Sequence, residues 1–109
     1  MKTPKPSFKT CSPRIKPQKG EVLVLDVGTT GIKAFVFDGK CRILAKSCHK
    51  ISKARPRRGW VEQDPMEILR ISISILRLAL KNSGISPSSI RGIGITNQRE
   101  ATILWDKKT

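Results

Sequence analysis

Four apolar residues, Val22-Leu23-Val24-Leu25, lead without a polar break into Asp26 and a turn, Val27-Gly28-Thr29-Thr30-Gly31. A short, β-rich, wholly apolar run of this kind is the pattern of a buried strand. It needs neighbours in a sheet and a covering layer, and the rest of the chain can be read for both. Ile32 to Phe37 is a second β-rich run, and Asp38-Gly39 is a strong hairpin signal. Cys41 to Ser47 reads as a third strand with Ile43 and Ala45 on one face, so the first half predicts a three-stranded antiparallel meander.

A basic connection over 49–61, around Pro56 and Gly59, leads to a well-marked helix start. Asp64 suits the N-cap, Pro65 the first helical position, and Glu67 the partner in a capping box. Leu69, Ile73, Leu76 and Leu80 recur at helical spacing, and Ile68, Ile75 and Ala79 widen the stripe. A face that broad predicts a helix packed on a sheet. Asn82-Ser83-Gly84 stops it. After a turn at Ser86-Pro87-Ser88-Ser89, Ile90, Ile93 and Ile95 mark a further strand in which Gly92 and Gly94 would allow close backbone approach. Thr102-Ile103-Leu104-Trp105 reads as a last strand. No internal repeat is visible.

A chain of 109 residues allows one small domain, and 38% hydrophobic content can supply its core. No stretch approaches the roughly 20 apolar residues needed to span a bilayer, and no secretory h-region stands near the start. The net charge of +14 is unevenly spread. Residues 1–20 carry six cations and no acid, and eight more stand between Lys40 and Arg58, again with no acid. Such an excess suits polyanions, but the cations are not interleaved with stacking aromatics, which favours a solvated tail and face. Pro4, Pro6, Pro13 and Pro17 forbid a sustained helix in the tail. Residues 1–20 are therefore expected to be disordered, and the amphipathic helix of a mitochondrial presequence is opposed. Three cysteines, Cys11, Cys41 and Cys48, form no C-x-x-C pair, which fits a reducing, cytoplasmic setting better than a disulfide framework or zinc site. His49 beside Cys48 lacks two further ligands.

Two segments have the makings of chemistry. In Asp26-Val27-Gly28-Thr29-Thr30-Gly31, a carboxylate at the end of a buried strand can hold Mg2+, directly or through water. The turn after it can aim backbone N–H groups and hydroxyls at phosphate oxygens, with Lys33 a movable cation nearby. Phosphoryl transfer depends mainly on such positioning and charge neutralisation; an ordinary β-turn with a solvated Asp is the alternative. In Gly94-Ile95-Thr96-Asn97-Gln98-Arg99-Glu100, four polar residues stand where an apolar strand ends. Arg99 offers a fork of donors and Glu100 two acceptor oxygens, a pair able to read the hydroxyls of a small polyol or simply to form a surface salt bridge. Gly59-Trp60-Val61-Glu62-Gln63-Asp64-Pro65 has a structural look: Trp60 and Val61 are expected to anchor the connection before the helix as a hydrophobic staple does.

The element order resembles the start of an α/β, ribonuclease H-like domain, the fold of actin, the heat-shock chaperone ATPases and the sugar kinases, with the sheet incomplete. Three separated motifs, in order, carry a closer resemblance over residues 21–109. Asp26-Val27-Gly28-Thr29-Thr30 is similar to the first phosphate loop of the FGGY carbohydrate kinase family, and Gly59 to Pro65 to its pre-helix signature. Ile93 to Glu100 is similar to the polyol-contact loop of its glycerol-phosphorylating branch. The resemblance implies ATP and Mg2+ as cofactors, glycerol as the acceptor, and transfer of the γ-phosphate to a terminal hydroxyl. Asp26 would help organise Mg2+, Gly28, Thr29, Thr30, Gly31 and Lys33 would meet nucleotide phosphate, and Arg99 and Glu100 would hydrogen-bond glycerol. It leaves room for a homo-oligomer at full length.

The chain departs from the family at three positions. Gly31 stands where Ser is usual, removing a hydroxyl but keeping an N–H. Lys33 stands where Arg is usual, keeping the charge but losing the bidentate fork. Ala101 replaces a common Thr, with little expected effect. Weaker phosphate affinity follows, and Lys33→Arg in a full-length enzyme should lower the KM for ATP. The resemblance also implies a general-base Asp, an adenine-binding domain and aromatic pocket walls at positions beyond Thr109, so no turnover is expected from these 109 residues alone. A different sugar kinase of the same family, a non-catalytic relative and a polyanion-binding module are the rival readings.

Overall fold

β1 (Glu21–Val27) lies inside a four-stranded sheet, as its unbroken apolar run requires. The computed structural model of the chain describes residues 19–108; the tail expected to be disordered lies outside these except for its last two residues. β2 (Gly31–Phe37) and β3 (Ile43–Lys50) continue from β1 as the expected antiparallel meander. The helix α1 (Pro65–Ser83) carries the chain back, and a short 3-10 turn at Pro87–Ser89 leads into β4 (Ile90–Thr96). β4 pairs parallel with β1, giving the order β3-β2-β1-β4. A parallel pair needs a long crossover connection, and here β2, β3 and α1 together provide it.

The core lies between α1 and one face of the sheet. Leu23 and Leu25 of β1, Ile32, Ala34 and Val36 of β2, and Leu44 and Ala45 of β3 meet Ile75 and Ala79 of α1. The helix lies over β2 and β3 and reaches only partly across β1. Ile93 and Ile95 of β4 are therefore 59% and 68% exposed, although they pair with the buried Leu23 and Leu25.

Ile43 and Ala45 do not share a face: Phe37 pairs with Ile43 and Val36 with Ala45, which leaves Leu44 as an extra residue. Such a bulge flips the alternation locally, so Leu44 and Ala45 are both buried and Ile43 is 45% exposed. The hairpin is present but is not a two-residue Asp-Gly turn. Its loop covers residues 38–42, and the left-handed position falls on Cys41 (φ 58°), not on Gly39. Asp38 organises that loop. Its Oδ1 accepts from the N–H groups of Lys40 and Arg42, both at 3.0 Å, and its Oδ2 meets the Arg42 guanidinium at 2.7 Å.

α1 begins and ends where expected. Asp64 caps it by accepting from Met66 N–H at 2.8 Å, and Gly84 closes it in the left-handed conformation at φ 70°. Glu67 does not complete a capping box; its carboxylate accepts from the Ser52 hydroxyl at 2.8 Å, tying α1 to the preceding connection. Only one side of the broad stripe expected is buried. Ser72, Ile75 and Ala79 are buried with Ile68 packed beside them, whereas Leu69 and Ile73 are 49% and 42% exposed. Trp60 and Val61 form no staple and are 54% and 58% exposed. An antiparallel bridge between Ala54 and Glu62 pinches the chain there, which turns the Trp60 ring outward beneath Arg57 at 5.2 Å. Gly92 and Gly94 meet no close backbone, the nearest atom to an added Cβ being Val24 Cγ2 at 3.9 Å from Gly94. Residues 102–105 form no strand, because no strand among the described residues runs beside them to take their backbone hydrogen bonds.

Candidate functional site

The turn between β1 and β2 is a tight one, closed by Gly28 N–H donating to Gly31 C=O at 3.0 Å. Its two glycines sit at close approaches. A Cβ on Gly28 would sit 3.0 Å from Gly31 O, and a Cβ on Gly31 would sit 2.7 Å from His49 O of β3. Thr30 C=O accepts from Ile51 N–H at 3.3 Å, which joins the turn to the end of β3. Thr29 and Thr30 are exposed. Among the described residues nothing accepts from their backbone N–H groups, so the turn presents unspent donors, the usual basis of an anion-binding concavity.

Asp26 alternates with the buried Leu25 and so points to the sheet face away from α1. The pairing register places Lys33 of β2 on one side of it and Thr96 of β4 on the other. Asp26 makes no ion pair among the described residues. The expected phosphate-side residues Asp26, Gly28, Thr29, Thr30, Gly31 and Lys33 thus share one end of the β1–β2 hairpin.

Asn97-Gln98-Arg99-Glu100 leaves the end of β4 beside that turn. Gln98 makes the connection: its Nε2 donates to Gly28 C=O at 3.2 Å and to Gln63 Oε1 at 2.9 Å. Gln63 in turn donates from Nε2 to Thr29 C=O at 3.1 Å. Neither glutamine is marked as functional by its spacing, since 35 residues separate them; Gln63 looks like part of a helix lead-in and Gln98 like one polar residue among four. An open cleft lies against this network, and Thr29, Gln63, Asn97, Gln98, Glu100 and Leu104 are among the residues that line it. Glu100 therefore faces the same space as Thr29. Arg99 is exposed and is not among the cleft-lining residues.

Among the described residues no group of three His, Cys, Asp or Glu side chains is placed to hold a metal ion by itself. Mg2+ asks for less. It commonly keeps several waters and takes one or two carboxylates together with substrate phosphates, and the unpaired Asp26 carboxylate beside the turn fits that donor set. No helix among the described residues is long and apolar enough to cross a membrane.

The N-terminal domain of the FGGY family of carbohydrate kinases matches residues 21–109. Glycerol kinase 2 of Thermotoga maritima is 49% identical over 88 residues, covering 81% of this chain and 18% of the relative. The glycerol kinase of Alkaliphilus oremlandii is 47% identical over 91 residues, covering 84% and 18%. Among solved structures, a xyloylose kinase from Brucella ovis superposes with a TM-score of 0.66 at 29% identity, over 72% of this chain and 16% of that one. The chain thus spans about a fifth of the length of the relatives it matches. With an antiparallel hairpin, a covering helix and a parallel fourth strand that bring the β1–β2 turn beside a polar loop, and with residues 21–109 matched by the family's N-terminal domain, the chain belongs to the FGGY family of carbohydrate kinases.

Proposed function

We propose that the protein carrying this sequence transfers the γ-phosphate of ATP to a terminal hydroxyl of glycerol, giving sn-glycerol 3-phosphate. The observation that carries this reading is the joining of two turns: the Gly28–Gly31 turn and the loop bearing Arg99 and Glu100 are tied by Gln98 at one end of the sheet. Identity of 49% to a glycerol kinase supports the choice of acceptor.

In this reading the free N–H groups and hydroxyls of Thr29 and Thr30 hold phosphate oxygens, and Gly28 and Gly31 keep the turn tight enough for them to converge. Lys33 adds positive charge on the Asp26 side. Mg2+ bound with the nucleotide would supply charge neutralisation at the phosphates, with Asp26 holding it directly or through water. Glu100, which lines the cleft, accepts from glycerol hydroxyls, and Arg99, outside the cleft lining in the chain as it stands, turns inward to donate to them. Because little covalent chemistry falls to the protein in phosphoryl transfer, this placement of groups is the main contribution required of it. The general base is supplied by residues outside this chain, so the 109-residue chain alone turns over no ATP. Cys41 and Cys48 are free thiols, consistent with work in the cytoplasm.

Radiolabelled ATP and glycerol supplied to the protein continued to the length of its relatives should yield labelled glycerol phosphate. Asp26→Ala should abolish the product, and Arg99→Ala should raise the KM for glycerol more than that for ATP. The likeness to a xyloylose kinase structure keeps another polyol or sugar as the second reading, and faster labelling of a ketose than of glycerol would establish it.

A further inference from the structure

Neither Gln63 nor Gln98 is given a contact with nucleotide or polyol above, yet both amides are bonded to the Gly28–Gly31 turn. Gln98 Nε2 holds Gly28 C=O at 3.2 Å, and Gln63 Nε2 holds Thr29 C=O at 3.1 Å. The two side chains are also bonded to each other, Gln98 Nε2 to Gln63 Oε1 at 2.9 Å. The consecutive carbonyls at 28 and 29 are thus each restrained from outside the turn, one from the β4 end and one from the start of α1.

A carbonyl and the N–H that follows it belong to one planar peptide unit. Restraining Gly28 C=O orients Thr29 N–H, and restraining Thr29 C=O orients Thr30 N–H. Those are the two backbone donors left unspent. A turn with free carbonyls could rotate its peptide planes and aim those donors elsewhere; one held at both planes is organised before the anion arrives, which lowers the ordering cost of binding.

We propose that Gln63 and Gln98 are positioning residues that lock the Gly28–Thr29 and Thr29–Thr30 peptide planes so that both N–H groups converge on nucleotide phosphate. Gln98 stands next to Arg99, so the same pair mechanically ties the polyol loop to the phosphate turn. This rests on the kinase reading above.

The test uses the full 109-residue chain, labelled with 13C and 15N, and magnesium tripolyphosphate as the probe. Gln98→Met and Gln63→Met keep side-chain length and lose the donors. Gln63→Glu keeps an acceptor for Gln98 while losing the donor to Thr29. Without ligand, Gln98→Met should shift the Gly28 carbonyl resonance and Gln63→Glu the Thr29 one, with β2 and β3 resonances unmoved. With ligand, each variant should bind about fivefold to tenfold more weakly, the scale of one or two lost hydrogen bonds. Gln63→Met combined with Gln98→Met should lose less than the product of the two separate effects, since they share a bond. Unmoved carbonyl resonances overturn the proposal, as does unchanged affinity. If the carbonyls shift as described but the native chain itself shows no binding at Thr29 and Thr30, the nucleotide reading falls and the proposed role falls with it, leaving only a structural clamp.

Discussion

Gly31 illustrates how a single residue can depart from its family for a reason visible only in three dimensions. The missing Ser hydroxyl reads as a loss to phosphate binding, yet in this chain a Cβ at position 31 would lie 2.7 Å from His49 O and 3.4 Å from Lys50 Cα, both backbone atoms of β3. Backbone cannot swing away as a side chain can. Gly31→Ser should therefore destabilise the chain by about 2 kcal/mol, within the usual range for overpacking, seen as a lower urea midpoint at unchanged slope; an unchanged midpoint would show that β3 gives way freely. Asp38 is a second case. Burial pushes its carboxyl pKa up, but the Arg42 side chain, the Arg42 and Lys40 N–H groups and the Arg42 charge outweigh that and bring it from the usual 3.8 to about 2. The folded chain then holds fewer protons here than the unfolded chain, so this contribution to stability is complete above about pH 4 and is lost as pH falls towards 2. Asp38→Asn should flatten that acid limb of a stability-against-pH curve while lowering stability at neutral pH.

Among the elements, the ends of α1 are legible locally, whereas the side of its broad apolar stripe that is buried is not. Its caps depend on neighbours one to four residues away, and Asp64, Pro65 and Gly84 specify them locally. Its packed face depends on where the sheet lies. With apolar residues at 68, 69, 71, 73, 75, 76, 78, 79 and 80, more than one stripe satisfies helical periodicity, and contact with β2 and β3 selects the one through Ile75 and Ala79. Ile75→Ala should cost about 3 kcal/mol, as for other large-to-small core changes. Leu69→Ala, on the flank, should cost under about 1 kcal/mol. Thermal unfolding of both variants checks this, and equal losses would restore the stripe through Leu69. The Leu44 bulge and the absence of a strand at 102–105 have the same origin: both depend on which partner strand is present, a fact no local window contains.

The whole molecule sets a high net charge against bare apolar surface. Ile93 and Ile95 on β4 and Ile103, Leu104 and Trp105 beyond it are all exposed, and large apolar side chains left bare in this number favour association. A net charge of +14 opposes it by mutual repulsion, but that repulsion is screened over about 10 Å at 0.1 M salt. Self-association of the chain should therefore rise with ionic strength, measurable by sedimentation between low and moderate salt. Binding to DNA that weakens steeply with salt would speak instead for the polyanion reading.

Most of the elements, Asp64 and Gly84 at the ends of α1, the family and the two turns that bear the candidate chemistry are legible in neighbouring residues of one short window; the strand expected at Thr102 to Trp105 is the exception. Packing selects which side of α1 is buried, where β3 bulges, how closely the backbone of β3 approaches Gly31, and that Gln63 and Gln98 meet over Gly28 and Thr29. Those outcomes rest on contacts between segments far apart in the chain, whose distances and directions are set by packing rather than by spacing.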